Sequence, residues 1–148
     1  MAFAMERHLE EVIMQSSSQA VPASAARLWT GRILSGLTLA FMLFDSVIKF
    51  FDIAPVREAM QQLGYPAGAA FTIGLIELAC VVLYAVPRTS VLGAVLLTAH
   101  LGGGIASHLR IGSPLASHTL FPIYVAALMW GGLYLREDRL RALLPFRR

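Results

Sequence analysis

The chain has 148 residues, 57% of them apolar and only 14% charged, and its mean hydropathy of +0.66 lies outside the range of ordinary soluble domains. One domain fits this length, because four helices of about twenty residues, each crossing about 30 Å of hydrocarbon, use most of it, and a separate catalytic domain is excluded. The net charge of +3 does not indicate nucleic acid, since the basic residues flank apolar segments and no aromatic-basic motif accompanies them.

Residues 1–27 read as a tail and linker. Met1, Met5, Leu9, Val12 and Ile13 recur at helical spacing, with Glu6, Arg7, Glu10 and Glu11 between them. This pattern fits a short amphipathic helix or a frayed tail, and its acidic polar face gives no strong attraction to anionic lipid. Three serines and Pro22 then mark a linker. No hydrophobic segment precedes the small residues Ala23 to Ala26, so no conventional cleaved signal peptide is expected and the first apolar stretch should stay as an anchor.

Four apolar spans follow within residues 28–135. The first covers about 28–51, and Pro55, Gly64 and Pro66 mark a connection over 52–66 with room for a short helix. The second covers about 67–86. Pro87, Arg88 and Thr89 turn the chain into the third, about 90–107, and Gly112 to Pro114 lead to the fourth, about 119–135. Residues 136–148 form a basic tail. The expected fold is an all-α membrane protein of four antiparallel transmembrane helices in a bundle. Arg7, Arg27, Arg32, Arg88, Arg136, Arg139, Arg141, Arg147 and Arg148 fall on one side, against Arg57 and Arg110 on the other, which places both termini in the cytoplasm. Trp29, Tyr84, Trp130 and Tyr134 then lie near the inner interface, and Tyr65 and Tyr124 near the outer one.

Ionisable residues inside the spans carry the functional signal, because charge in hydrocarbon is costly and faces a bundle interior, a cavity or a partner. A rise of 1.5 Å per residue puts Glu77 and His100 near mid-depth, and Asp45, Lys49, His108 and Arg110 near the outer mouth. Together they could line one outward-opening cavity. Asp45 and Lys49, four apart, permit an ion pair on one helix face, which reads equally as a structural pair near the headgroups. Glu77 needs a proton or a partner at that depth, and His100 could be the partner. His118 reads as a solvated loop residue. Ala94, Thr98, Gly102 and Ala106 form a small-residue seam suited to helix packing. The run Gly102 to Gly104 lacks the strand and turn of a phosphate loop. The lone cysteine, Cys80, gives neither a disulfide nor a cysteine cluster, the histidine spacing matches no metal motif, and no metal is expected.

The segments FDSVIKF (Phe44 to Phe50), LGYP (Leu63 to Pro66), GLIEL around Glu77, YAVPRTSVLGAVLLT (Tyr84 to Thr98) and IASHLRIG (Ile105 to Gly112) resemble the DoxX-like family. The resemblance spans nearly everything from Arg32 to Pro145. It implies a multi-pass protein of the bacterial inner membrane with four antiparallel helices. Its members include a membrane subunit associated with thiosulfate to quinone oxidoreduction and relatives linked to oxidant and thiol stress. By position, the family's polar motif corresponds to Asp45, Lys49, Glu77, His108 and Arg110, whereas relatives often carry an aromatic residue where this chain has His100.

The expected function is therefore a binding or accessory module, holding a quinone or other amphiphile in the polar cavity or serving as membrane subunit of a redox partner. No haem attachment, iron-sulfur or flavin motif is present, so no covalently held cofactor is implied. Membrane lipids are expected partners, nucleic acid is not, and homo-oligomerisation stays open. The alternatives are a membrane enzyme acting on a lipid-like substrate, with Glu77 as acid or base and Lys49, His108 or Arg110 stabilising negative charge, or a proton or small-solute transporter.

Overall fold

The computed structural model describes residues 25–143 together with Met5. The expected amphipathic stretch at the N-terminus, most of the linker, and Arg147 and Arg148 of the basic tail lie outside the described residues. Among the described residues all regular structure is helical: α1 (Ala25–Ile48), α2 (Ala54–Gln62), α3 (Ala69–Ala85), α4 (Ser90–Arg110), a π-helical turn (Leu115–Thr119), α5 (Phe121–Arg136) and α6 (Asp138–Leu143). Each expected span thus has its helix, and the 52–66 connection holds one as well. α4 runs past Ser107 to Arg110, which puts His108 and Arg110 on the helix itself.

Proline and glycine set the boundaries. Gly64, at φ 73°, ends α2 in the left-handed region that a side chain disfavours, and Tyr65 N–H returns to the Met60 carbonyl. α3 stops at Ala85 because Pro87 forces the preceding Val86 into an extended conformation. Pro122 sits in the first turn of α5, where its missing N–H costs no helical bond.

α1, α3, α4 and α5 pack in a ring, α1 against α5 and α3, and α4 against α3 and α5. The start of α1 meets the end of α5 at Gly31 and Gly132, and Ser35 meets Tyr84 near the end of α3, so these neighbours run antiparallel. A Cβ on Gly132 would lie 2.6 Å from Ser35 Oγ, and one on Gly31 would lie 2.9 Å from the Gly132 carbonyl, so the crossing is as close as backbones allow. Tyr84, Ala94, Leu97, Met129 and Leu133 fill the core at this end. Ile33, Leu37, Phe44, Leu75, Ile76, Val82, Leu92 and Val95 face outward. Such an exterior suits hydrocarbon. α1, α4 and the Leu115–Arg136 stretch are long and apolar enough to cross a membrane, and α3 is a shorter apolar helix.

The small-residue seam of α4 packs over its first half only. Ala94 is buried and Thr98 Oγ1 accepts from Trp130 Nε1 at 2.9 Å, but Gly102 and Ala106 face outward and nothing among the described residues lies within 4 Å of a Cβ at Gly102. Four-residue periodicity identifies a helix face without saying which neighbour covers it.

Candidate functional site

The site begins with a close approach of α1 to α3. At Gly74 a Cβ would meet the Ser46 carbonyl at 2.8 Å and Lys49 Cβ at 2.9 Å, so glycine here lets the end of α1 lie on the helix that carries Glu77 three residues later. Lys49 Nζ donates to Glu77 Oε2 at 2.8 Å, to Asp45 Oδ2, and to the Asp45 carbonyl at 3.1 Å. His100 on α4 brings Nε2 to 3.5 Å from the same Glu77 oxygen. Glu77 is fully buried, and its Oε1 has no hydrogen-bond partner among the described residues. Three helices therefore contribute to one cluster in which a single ammonium faces two carboxylates.

Above this cluster opens a cavity of about 470 Å³. Asp45, Lys49, His100, His108 and His118 supply its polar wall, while Phe41, Met42, Phe121, Pro122 and Val125 supply an apolar one. Phe41 and Phe121 meet edge to face with centroids 5.5 Å apart, and the rings of His108 and His118 do so at 5.6 Å. Nδ1 of each of these histidines is held by a serine hydroxyl, Ser113 at 3.0 Å and Ser117 at 2.8 Å. Their Nε2 atoms remain for other partners. The combination of one apolar and one polar wall matches an amphiphile.

A second cavity, of about 440 Å³, lies between α2 and α3, lined by Phe50, Arg57, Pro66 and Phe71. Lys49, Met60 and Tyr65 line both cavities and so separate them. Tyr65 is fixed by a 2.7 Å hydrogen bond with Ser107, and Arg57 is paired with Asp52 at 2.9 Å. The opposite end of the ring is closed. Tyr84, fully buried, places Oη 3.1 Å from Ser35 Oγ and 3.1 Å from the Met129 carbonyl, to which it donates. The Arg136 guanidinium lies 5.4 Å from the Tyr84 ring centroid.

Of the six residues singled out in the sequence, Asp45, Lys49, His100 and His108 line one cavity. Glu77 lies behind that wall, covered by Lys49 and His100. Arg110 is elsewhere: its Nη2 donates to the Leu63 carbonyl and packs over Gly64, tying α4 to the end of α2. Lys49 links the expected deep and outer groups, because its flexible stem reaches from Asp45 to Glu77. His118 is exposed, as expected of a solvated loop residue, and also lines the cavity because the π-helical turn folds the loop back beside α4. Tyr65 and the Phe41–Phe121 pair carried no distinguishing signal in an apolar sequence. Among the described residues no three His, Cys, Asp or Glu side chains gather as a metal site would require.

Comparison with curated proteins and with solved structures returns no match. A family model does match, described as the DoxX-like family, over residues 33–132. That range runs from the first turns of α1 to the last turns of α5 and takes in the Asp45–Lys49–Glu77–His100 cluster and every residue lining the main cavity. The chain is a membrane protein belonging to the DoxX-like family.

Proposed function

We propose that this chain is a binding module of the bacterial inner membrane that holds an amphiphile in the cavity between α1, α4 and α5. In this reading α1, α3, α4 and α5 all span the bilayer, both termini are cytoplasmic, and the cavity opens to the outer face. The arginine distribution supports that orientation, since Arg27, Arg88, Arg136, Arg139 and Arg141 lie at the end closed by Tyr84. The observation that carries the proposal is the two-sided cavity itself, polar along Asp45, His100, His108 and His118 and apolar along Phe41, Phe121 and Val125.

A quinone is one amphiphile of suitable size, and the resemblance to redox-linked relatives supports it, together with a role as membrane subunit of a redox partner. Its carbonyl oxygens need donors, which the free nitrogens of His108 and His118 can supply. The enzyme reading is less well supported, because Glu77 does not reach the cavity and would exchange protons with a substrate only by way of Lys49 or His100. Mass spectrometry of small molecules retained by gently purified protein, combined with thermal shifts on adding quinone analogues, tests the proposal. A retained amphiphile that His118→Ala or Phe121→Ala releases supports it. Absence of any retained amphiphile, with no thermal shift, overturns it.

A further inference from the structure

A lysine ammonium has three N–H donors, and those of Lys49 are taken by Asp45 Oδ2, the Asp45 carbonyl and Glu77 Oε2. The one cation in the cavity wall thus has no donor left for a ligand. Its charge is divided too, because the carboxylates of Asp45 and Glu77 share the one ammonium. Arg110 adds nothing to the wall, since it is bound to Leu63, and Arg57 is paired with Asp52 beside the second cavity. The fully buried Glu77, with Oε1 unpartnered among the described residues, extends the deficit of positive charge behind the wall.

The accessible part of that deficit is Asp45. Lys49 bonds its Oδ2, and the side chain is 42% exposed. One helical turn away on α1 is Phe41, whose ring meets Phe121, and both line the cavity. A carboxylate and aromatic rings in one cavity wall are the combination that binds alkylammonium groups, through charge and the ring quadrupole.

We propose that the cavity selects an amphiphile with a cationic head group, an alkylammonium seated between the Asp45 carboxylate and the rings of Phe41 and Phe121. This rests on the reading that the cavity binds an amphiphile and names the charge of its head group. Anionic amphiphiles are disfavoured, because the wall offers them a carboxylate and no uncommitted cation. The ammonium could belong to a free alkylamine or to an ethanolamine lipid.

Equilibrium dialysis of the full-length protein in a non-ionic detergent tests this with decyltrimethylammonium, decanol and decanoate, which share a chain and differ in charge. Cation–π and charge attraction together predict that the ammonium binds at least about tenfold more tightly than decanol, with decanoate weakest. Asp45→Asn should remove the preference, and Asp45→Glu, which keeps the charge, should retain it even if both variants lose thermal stability. Lysophosphatidylethanolamine competing with decyltrimethylammonium would assign a lipid source, and failure to compete a free amine. Equal binding of all three decyl probes, or a preference that survives Asp45→Asn, overturns charge selection while leaving the amphiphile site intact. Binding of none of them, with no retained molecule, overturns both.

Discussion

Lys49 and Glu77, 28 positions apart in the chain, are joined by a 2.8 Å charge-assisted hydrogen bond that ties the end of α1 to the middle of α3. Removing one partner of a buried pair leaves the other charge uncompensated, at a cost of about 3–5 kcal/mol. Lys49→Met is therefore expected to be the most damaging single change in the cluster, because it strands both Asp45 and Glu77. Adding Glu77→Gln to Lys49→Met should recover part of the loss. Unfolding of the two single variants and the double variant in detergent completes the cycle, and strict additivity would show that the pair is uncoupled.

Gly74 makes that ion pair reachable. Gly74→Leu should push α1 from α3 and destabilise the protein by about 1–3 kcal/mol, the usual cost of overpacking. Gly36, also on α1, has nothing within 4 Å of the site where a Cβ would stand. Gly36→Ala should be neutral or stabilising by up to about 1 kcal/mol, since alanine is the better helix former. Comparison of the two melting temperatures checks both expectations.

Tyr84→Phe deletes one hydroxyl and keeps the ring. The Met129 carbonyl and Ser35 then lose their buried partner, for an expected cost of about 1–3 kcal/mol. Ligand affinity should be unchanged, because Tyr84 lies at the closed end. A thermal melt measured alongside dialysis separates the two effects.

Arg110→Ala should loosen α2, and with it Met60 and Leu63 at the edge of the cavity, while leaving the polar wall of Asp45, His100, His108 and His118 in place. Losing the charged bond to the Leu63 carbonyl should raise amide exchange over residues 54–65 by about tenfold, as for a bond worth roughly 1.5 kcal/mol. Amphiphile binding should stay within about threefold of the wild type, the shift expected for a residue with no ligand contact. Hydrogen exchange followed by mass spectrometry reports on the helix, and a collapse of binding would place Arg110 in the site after all.

Orientation is open to chemical labelling. Arg88→Cys, in the turn between α3 and α4, should react with a membrane-impermeant maleimide only after the membrane is permeabilised, and Gln62→Cys at the end of α2 should react in intact spheroplasts. Cys80, the native thiol, is buried and serves as the background. The reverse pattern would invert the proposed topology.

The sequence carried the positions of the helices and two of the pairings. Apolar runs bounded by Pro87 and by Gly112 to Pro114 marked where helices stop, and spacing alone put Asp45 beside Lys49. Depth counting put Glu77 level with His100, and the two do lie 3.5 Å apart. It failed for Lys49, whose depth as a backbone position says little about where four methylenes carry the ammonium once Gly74 admits α1. It failed for Arg110 because a carbonyl at the end of α2, presented by the left-handed turn at Gly64, competes for the guanidinium. The exposure of His118 was legible, but its place in the cavity wall was not, because residue types do not announce a π-helical turn.

The outward ring of Ile33, Leu37, Leu75, Ile76, Leu92 and Val95 changes what stability means for this molecule. Hydrocarbon solvates those side chains whether or not the helices touch, so association gains little from hiding apolar area and depends on close backbone contact and interior polar bonds. The state competing with the native fold is a set of inserted helices that have drifted apart, each with its backbone hydrogen bonds intact. Damage to the Lys49 or Tyr84 contacts should therefore appear as lateral separation, a loss of interhelical proximity at nearly constant helical circular dichroism.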